Sequence, residues 1–430
     1  MADEPTVRQY TYNPIAKVLN AAASTGLALG LPIGTLEMEP IIAAAKKSTG
    51  LDDTHGDAFL KPFEVLIGEC QRMPFTSMAR IFEHSAFFTA VKNRLLVEDY
   101  IKKHPEVLDI PIERPIFVLG FPRTGTTLLQ NLLSLDDNTR ALEFWELIRP
   151  VPLHDDPEID QRRRIRMAQA TLFLAYRVAP EMGAIHEIRS TTAEECWPLF
   201  YNTFSSLNQD LQSGMKGFGD YLLNEHDMTP PYREYRRYLQ VLLHRRPSKR
   251  LVLKCPEHLW FVPNLLEVFP DACVVWTHRD PLDSVASYCS LISLQWRMLY
   301  GLLKPKEIGA HISDRFTLGV ERAMAARDNL GSDHFLDVNF QDLVPDPKRI
   351  VRQIHERFDL SLDDNMDAKM VEWLNNKRAD KKGAHKYNAD VYGLEPEDIY
   401  TRFAPYIARY GISIRGAGAR TPLMWKRRAQ

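Results

Sequence analysis

The stretch Phe117–Leu133, FVLGFPRTGTTLLQNLL, decides the fold. Its first residues are apolar and suit a short strand; Gly120 to Gly125 read as a tight turn, and Thr126 opens a helix. Gly120 and Gly125 allow a turn that side chains would obstruct. The helix presents free N–H groups and the positive end of its dipole, and Thr126 and Thr127 add hydroxyl donors. The loop is therefore an anion cradle. A glycine turn that merely joins strand to helix is the plain alternative. Spacing, the strand before, the helix after and the Arg-Thr-Gly-Thr-Thr run together favour the cradle. The loop nearly matches that of nucleotide hydrolases, which ends Gly-Lys-Ser/Thr. Here it ends Gly125-Thr126-Thr127, without Lys, and Arg123 lies two positions before the glycine.

The missing Lys matters, because in nucleotide hydrolases it contacts the β- and γ-phosphates while the next Ser/Thr holds Mg²⁺. Thr127 has the hydroxyl for a metal, but no acidic strand end supports one. The residues after two other candidate strands are Lys254-Cys255-Pro256 and His278-Arg279-Asp280, predominantly basic. The site expects an anion neutralised by protein cations, with no metal. A second element is VVWTHRDPLDSVASY, residues 274 to 288. A strand ends at His278-Arg279, Asp280 caps a helix opened by Pro281, and Ser287 lies two turns in. Arg279 and Ser287 can share one phosphate at the carboxyl edge of a parallel sheet. Two anion sites on one edge suggest a ligand with two separate anionic groups. A surface pairing of Arg279 with Asp280 or Asp283 is the alternative.

Outward from these motifs the pattern is α/β. Candidate strands are Ile116–Leu119, Leu251–Leu253, Cys273–Thr277 and Phe335–Val338, separated by long helical stretches. They predict a P-loop-like, doubly wound, mainly parallel sheet flanked by helices. Residues 1–110 form a helical N-terminal region, linked by DIPIERP (109–115) to an α/β domain over 111–430. That domain carries a helical insertion at about 155–248, rich in aromatics. Trp197, Phe200, Tyr201, Phe204, Trp260 and Phe261 hint at an apolar pocket, although such spacing also suits a core.

The 430 residues carry a formal net charge of -2, which argues against nucleic acid as the main partner. Arg162-Arg163-Arg164 and the run Arg245-Arg246, Lys249-Arg250 read as solvated faces. The five cysteines, Cys70, Cys196, Cys255, Cys273 and Cys289, are widely spaced, which disfavours zinc and disulfides and suits reduced thiols. The acidic, polar start is no secretory signal. Val18–Leu36 has no formal charge but is too polar and broken for a membrane span. It reads as helix, turn and loop packed on the body, with peripheral membrane contact as the minority reading. A cytoplasmic location is expected.

FPRTGTTLL together with THRDPLDSVASY resembles the family of sulfotransferases that use 3′-phosphoadenosine 5′-phosphosulfate (PAPS). The family's first motif, Pro-[Lys/Arg]-[Ser/Thr]-Gly-Thr-Thr, wraps the 5′-phosphosulfate, and Pro122 to Thr127 match it. Its second, an Arg followed eight residues later by a Ser, holds the 3′-phosphate, and Arg279 and Ser287 match that. LVLKCPEHL (251–259), DVNFQDLVPDP (337–347) and KKGAHKYNADVYGL (381–394) extend the likeness over residues 111 to 394. The chain is similar to the bacterial-type branch, whose loop carries Arg. The resemblance implies PAPS as co-substrate, 3′-phosphoadenosine 5′-phosphate (PAP) as product, and a cofactor site of Arg123, Thr124, Gly125, Thr126, Thr127, Arg279 and Ser287. Lys381, Lys382 and Gly383 resemble the basic-glycine segment that closes over the 3′-phosphate. Arg123 would stabilise charge on the bridging oxygen, and Lys254 charge near the leaving phosphate.

The base that activates the acceptor stays open between His258, Glu143 and Glu146. His258 resembles the family's Lys-x-His segment but lies four residues after Lys254. Glu143 and Glu146 follow the loop at about the distance of a catalytic Glu in other branches. Glu194 and Glu195, after Thr191-Thr192, read as a capped helix start, with a place lining the acceptor site as the alternative. The expected function is sulfuryl transfer from PAPS to a hydroxyl or amine of a small acceptor, for which the aromatic residues hint at an apolar one. The alternatives are a divergent P-loop kinase or NTPase and a non-catalytic nucleotide-binding module.

Overall fold

In the computed structural model, the described residues are 8–9, 13–31, 34–185, 187–379 and 388–415. Lys381, Lys382 and Gly383 lie outside them. Five strands form one parallel sheet: β1 (Ile116–Gly120), β2 (Thr139–Ala141), β3 (Arg250–Lys254), β4 (Cys273–His278) and β5 (Phe335–Asn339). Their order is β2-β3-β1-β4-β5. The four expected strands are present, each longer by a residue at one or both ends. The short edge strand β2 was not expected, because Thr139-Arg140-Ala141 has no apolar run to announce it.

The helices that matter below are α1 (Pro14–Ala28), α2 (Met38–Thr49), α3 (Leu60–Arg72), α4 (Ser77–Lys103), α5 (Thr126–Leu133), α6 (Phe144–Ile148), α7 (Pro157–Val178), α8 (Thr229–Arg245), α9 (Pro281–Tyr300) and α10 (Pro305–Leu330). Strands β1, β3 and β4 are buried throughout, which is why their central residues read as apolar runs. Their two-residue period sorts them between two cores. Phe117, Leu119, Leu251, Leu253, Val274 and Trp276 join a large cluster. Ile116, Val118, Val252 and Val275 meet Leu129, Leu132 and Leu133 of α5 in a smaller one.

The large cluster also takes in the N-terminal helices and the insertion. Phe63 of α3 stacks on Phe204 with ring centroids 3.9 Å apart. Arg94 of α4 is buried, donates to the Asn202 and Thr54 carbonyls at 3.0 Å each, and pairs with Glu234 of α8. Phe200, Phe204, Trp260 and Phe261 are core side chains; Trp197 and Tyr201 keep some accessible surface. Two of the basic residues read as solvated are buried instead. Arg164 pairs with Asp160 at 3.1 Å and lies over the Trp145 ring, and Arg250 sits at the start of β3. All five cysteines are buried and free.

The chain leaves β1 for β2 at one edge, returns through the insertion to β3, then crosses to β4 on the other side of β1. Connections from β1 and β4 therefore run in opposite directions, and a crevice opens between their carboxyl ends. Both motifs identified in the sequence sit on that crevice. Val18–Leu36 is helix, turn and loop as expected, but only Ala23, Gly26, Gly34 and Leu36 of it are buried, and residues 32 and 33 lie outside the described set. Among the described residues no helix is long and apolar enough to cross a membrane.

Candidate active site

The loop after β1 is held by contacts that its sequence dictates. Thr124 is fully buried; its Oγ1 donates to the Phe121 carbonyl at 2.7 Å and lies 2.6 Å from Thr277 Oγ1 on β4. Gly120 has φ +136°, and a Cβ there would stand 2.3 Å from Thr277 Oγ1 and 2.7 Å from the Thr277 carbonyl oxygen. Gly125, at φ +91°, caps α5, and a Cβ there would stand 2.7 Å from Leu343 Cδ2. Both glycines are required by close approach as well as by backbone angle. Thr127 is exposed at the start of α5, where first-turn N–H groups lack helical partners.

The second motif touches the first directly. Arg123, exposed and at φ +73°, donates from Nε to Ser287 Oγ at 3.2 Å. Arg279 Nη1 donates to the Arg123 carbonyl at 2.7 Å, while Nη2 pairs with Asp283 at 3.0 Å. Its guanidinium lies 4.4 Å from the centroid of Phe340. The Asp283 pairing weighed from the sequence is thus present, together with the loop contact. Asp280 caps α9 through the Leu282 N–H at 2.8 Å. Beside Arg279 lies a cleft of about 470 Å³, lined by the ends of β4 and β5 and by Gly411–Arg415. Arg415 reaches Asp283 Oδ1 at 2.6 Å. Nothing in the sequence marks Arg415, which arrives from the far end of the chain.

Lys254 ends β3 next to the loop. Its Nζ lies 3.4 Å from Thr127 Oγ1 and 2.8 Å from Glu195 Oε1. Burial pulls the ammonium pKa down, but Glu195 and Glu194 outweigh it and leave the pKa raised. The backbone fixes Glu195 there: Glu194 N–H donates to the Leu142 carbonyl and Cys196 N–H to the Lys254 carbonyl, both at 3.0 Å. The cap reading of Glu195 gives way to this placement. The helix Trp197–Tyr201 starts at Cys196 with no side-chain cap.

Of the three candidates for the base, Glu143 is the one beside this segment, bridged through its backbone to Ala193. His258 is fully buried among Phe117, Phe200, Tyr232 and Tyr235, and its Nδ1 is 2.7 Å from Tyr232 Oη. Burial pushes it down to about 3, and among the described residues Nε2 has no hydrogen-bond partner. It is a core residue, so its reading as base is corrected: no acceptor can reach it. Glu143 and Glu146 form the capping box of α6. Glu146 is buried, bonded twice to Arg140 Nη1 at 2.9 Å and paired with Arg246 at 3.1 Å. Glu143 accepts from Trp145 Nε1 at 2.6 Å. Glu146 is committed to structure, which corrects its reading as base; Glu143 also pairs with Arg246 but keeps 24% of its side-chain surface. Two further buried carboxyls, Glu83 on α4 and Glu257 after β3, are pushed up to about 7 by burial. Among the described residues no group of side chains is arranged to hold a metal.

The chain is similar to known proteins in sequence and fold. Residues 115–364 match the family model described as "Sulfotransferase family". The chain is 31% identical to the sulfotransferase STF1 of Mycobacterium tuberculosis H37Rv, over 86% of this chain and 98% of that structure, with a TM-score of 0.75. It is 30% identical to STF9 of Mycobacterium avium, over 88% and 97%, with a TM-score of 0.78. It is also 27% identical over 259 residues to the omega-hydroxy-beta-dihydromenaquinone-9 sulfotransferase Stf3 of Mycobacterium bovis, a match spanning 57% of this chain and 63% of that relative. With the family model covering more than half the chain and STF1 and STF9 matched over nearly their whole length, the chain belongs to the sulfotransferase family.

Proposed function

We propose that this chain moves a sulfuryl group from PAPS to a hydroxyl or amine of a small, apolar acceptor and releases PAP. The observation that carries this reading is the direct contact of Arg123 with Ser287 and Arg279. It sets two anion-binding elements side by side on neighbouring strands, suited to a ligand with two separate anionic groups. The N–H groups at the start of α5 and the Thr126 and Thr127 hydroxyls receive the 5′ anion. Arg279 and Ser287 receive the 3′-phosphate, which must compete with Asp283 for the guanidinium. Lys254 places a buried positive charge beside Thr127, where negative charge develops as the S–O bond to the 5′-phosphate breaks and its electron pair stays with the phosphate. Glu195, paired with Lys254 at 2.8 Å, takes the acceptor's proton as the new bond to sulfur forms. Trp197 and Tyr201, which keep accessible surface two and six residues beyond Glu195, suit an apolar acceptor. The lipid-like quinone in the name of Stf3 agrees with that class.

The test is thermal stabilisation by PAP, compared with Mg²⁺–ATP and adenosine 5′-phosphate, in wild type and Arg279→Ala. A ligand at 100 times its Kd adds about 2.7 kcal/mol to the native state. A PAP-selective rise in Tm that is lost in Arg279→Ala supports the donor site and justifies an acceptor screen with PAPS. A rise with Mg²⁺–ATP alone assigns the loop to phosphoryl chemistry and ends this reading.

A further inference from the structure

Two segments stand apart in both charge and exposure. Residues 13–31 carry one Lys and no acid; residues 161–180 carry five Arg and no acid. That is six cations without a carboxylate, in a chain whose net charge is -2. The two segments meet: Asn13 Nδ2, at the start of α1, donates to the Arg177 and Val178 carbonyls at the end of α7, at 3.0 and 2.8 Å. Ala16 packs with Val178 in a small core beneath them. Among the described residues the three most exposed large apolar side chains all lie here: Leu29 at 74%, Val18 at 68% and Phe173 at 63%. Ile15, Leu31, Met167 and Leu174 are exposed beside them.

The pattern along α7 is helical and one-sided. Arg163, Arg166, Met167, Phe173, Leu174 and Arg177 are all exposed and recur at three-to-four spacing, so cations and apolar groups share one outer face. The Arg177 guanidinium lies 4.8 Å from the Phe173 centroid, which keeps the charge beside the apolar group. The opposite face of α7, with Ala168 and Leu172, is buried on Phe144 and Trp145. The first turn of α7 holds the helix's acids, Glu158 and Asp160, and Asp160 is committed to Arg164. Exposed Glu158 and Glu181 lie only at its two ends, and the outward surface between them, apolar and cationic, matches an interface with an anionic layer that has an apolar interior.

We propose that the outer face of α1 and α7 is a docking surface for an anionic lipid bilayer. Val18, Leu29, Phe173 and Leu174 enter the boundary between headgroups and acyl chains, and Arg163, Arg166 and Arg177 meet the lipid phosphates. The surface argument is independent of the donor-site reading. If that reading also holds, the docked enzyme meets an apolar acceptor where such molecules collect.

The test is co-sedimentation of the full chain with vesicles of phosphatidylcholine alone or mixed with phosphatidylglycerol, at low and at physiological salt. Binding is expected only with phosphatidylglycerol, and weaker as salt rises. Arg163→Ala/Arg166→Ala should weaken it about 30-fold. Val18→Asp/Phe173→Asp should weaken it on the order of 100-fold or more. Both variants should keep the wild-type Tm, since these side chains are exposed. Failure to prefer anionic vesicles, or equal binding by the aspartate variant, overturns the proposal. So does light scattering that shows a dimer dissolved by Val18→Asp/Phe173→Asp, which would make the face a self-contact. Vesicle binding that appears only after residues 1–12 are removed would assign the face to that segment, and also overturns it.

Discussion

The placement of His258 gives a quantitative test by His258→Phe. In the native protein its imidazole is neutral, with its pKa pushed down to about 3 by burial. In the unfolded chain it titrates near 6.5. The unfolded state therefore binds the extra proton first as pH falls. The stability tied to the neutral ring is complete above about pH 6.5 and is lost as pH falls toward the native value, at about 1.4 kcal/mol per pH unit. From pH 6.5 to 5.0 wild type should lose about 2 kcal/mol that His258→Phe does not lose. Glu83 and Glu257 titrate in both proteins and cancel in the difference. At pH 7.5 the variant removes the unpartnered Nε2 but strands the Tyr232 hydroxyl, a cost of about 1–3 kcal/mol. Adding Tyr232→Phe should recover most of that loss, because replacing both polar partners is nearly neutral. Urea unfolding of the variants at pH 7.5 and 5.0 measures these differences, and PAP binding and sulfuryl transfer are read on the same samples. A stability difference that does not change with pH refutes the buried neutral ring. A folded, PAP-binding His258→Phe that loses transfer 100-fold or more refutes its assignment to the core.

Glu195→Gln should keep the PAP-induced Tm shift and slow transfer by about 10²–10⁴-fold, read with any acceptor found in a screen; an unchanged rate removes Glu195 as the base. Glu146→Ala strands Arg140 and Arg246, and should cost about 3–5 kcal/mol in urea unfolding. Its transfer rate per folded molecule should stay at the wild-type value, and a rate that falls with stability intact would return Glu146 to the chemistry. Gly125→Ala should lower stability by about 1–3 kcal/mol and weaken PAP binding, because φ +91° and the Leu343 side chain both oppose a Cβ. A variant as stable as wild type would mean that the loop relaxes freely.

The sheet was legible because β1, β3 and β4 are buried on both faces, so their central residues are apolar runs. The edge strand β2 was not, since Thr139-Arg140-Ala141 forms through pairing with β3 and not through its own composition. The donor loop was legible because close approach and positive φ demand Gly120 and Gly125, and because both anion motifs are local in sequence. The acceptor side was not. Glu195 comes to Lys254 only through backbone bonds to Leu142 and Lys254, partners about 50 residues away in either direction. His258, Glu143 and Glu146 were proposed by their spacing from other motifs, and spacing says nothing about burial. The Lys-to-His gap of four residues turns His258 into the core between Phe117 and Tyr232. The α7 arginines show the same limit: Arg163 is exposed and Arg164, its neighbour, is buried over Trp145.

The contact of Gly120 with Thr277 also constrains how such an enzyme can diversify. A side chain at position 120 meets the backbone oxygen of residue 277 as well as its hydroxyl. No replacement at 277 clears the space, and no order of substitutions opens position 120. The junction of β1 and β4 is thus a fixed ruler between the two anion sites, closed to drift and to laboratory selection alike. On the proposed reading, variation in substrate use falls to the other wall, in the helical insertion around Glu195, Trp197 and Tyr201, where a library aimed at new acceptors should be built.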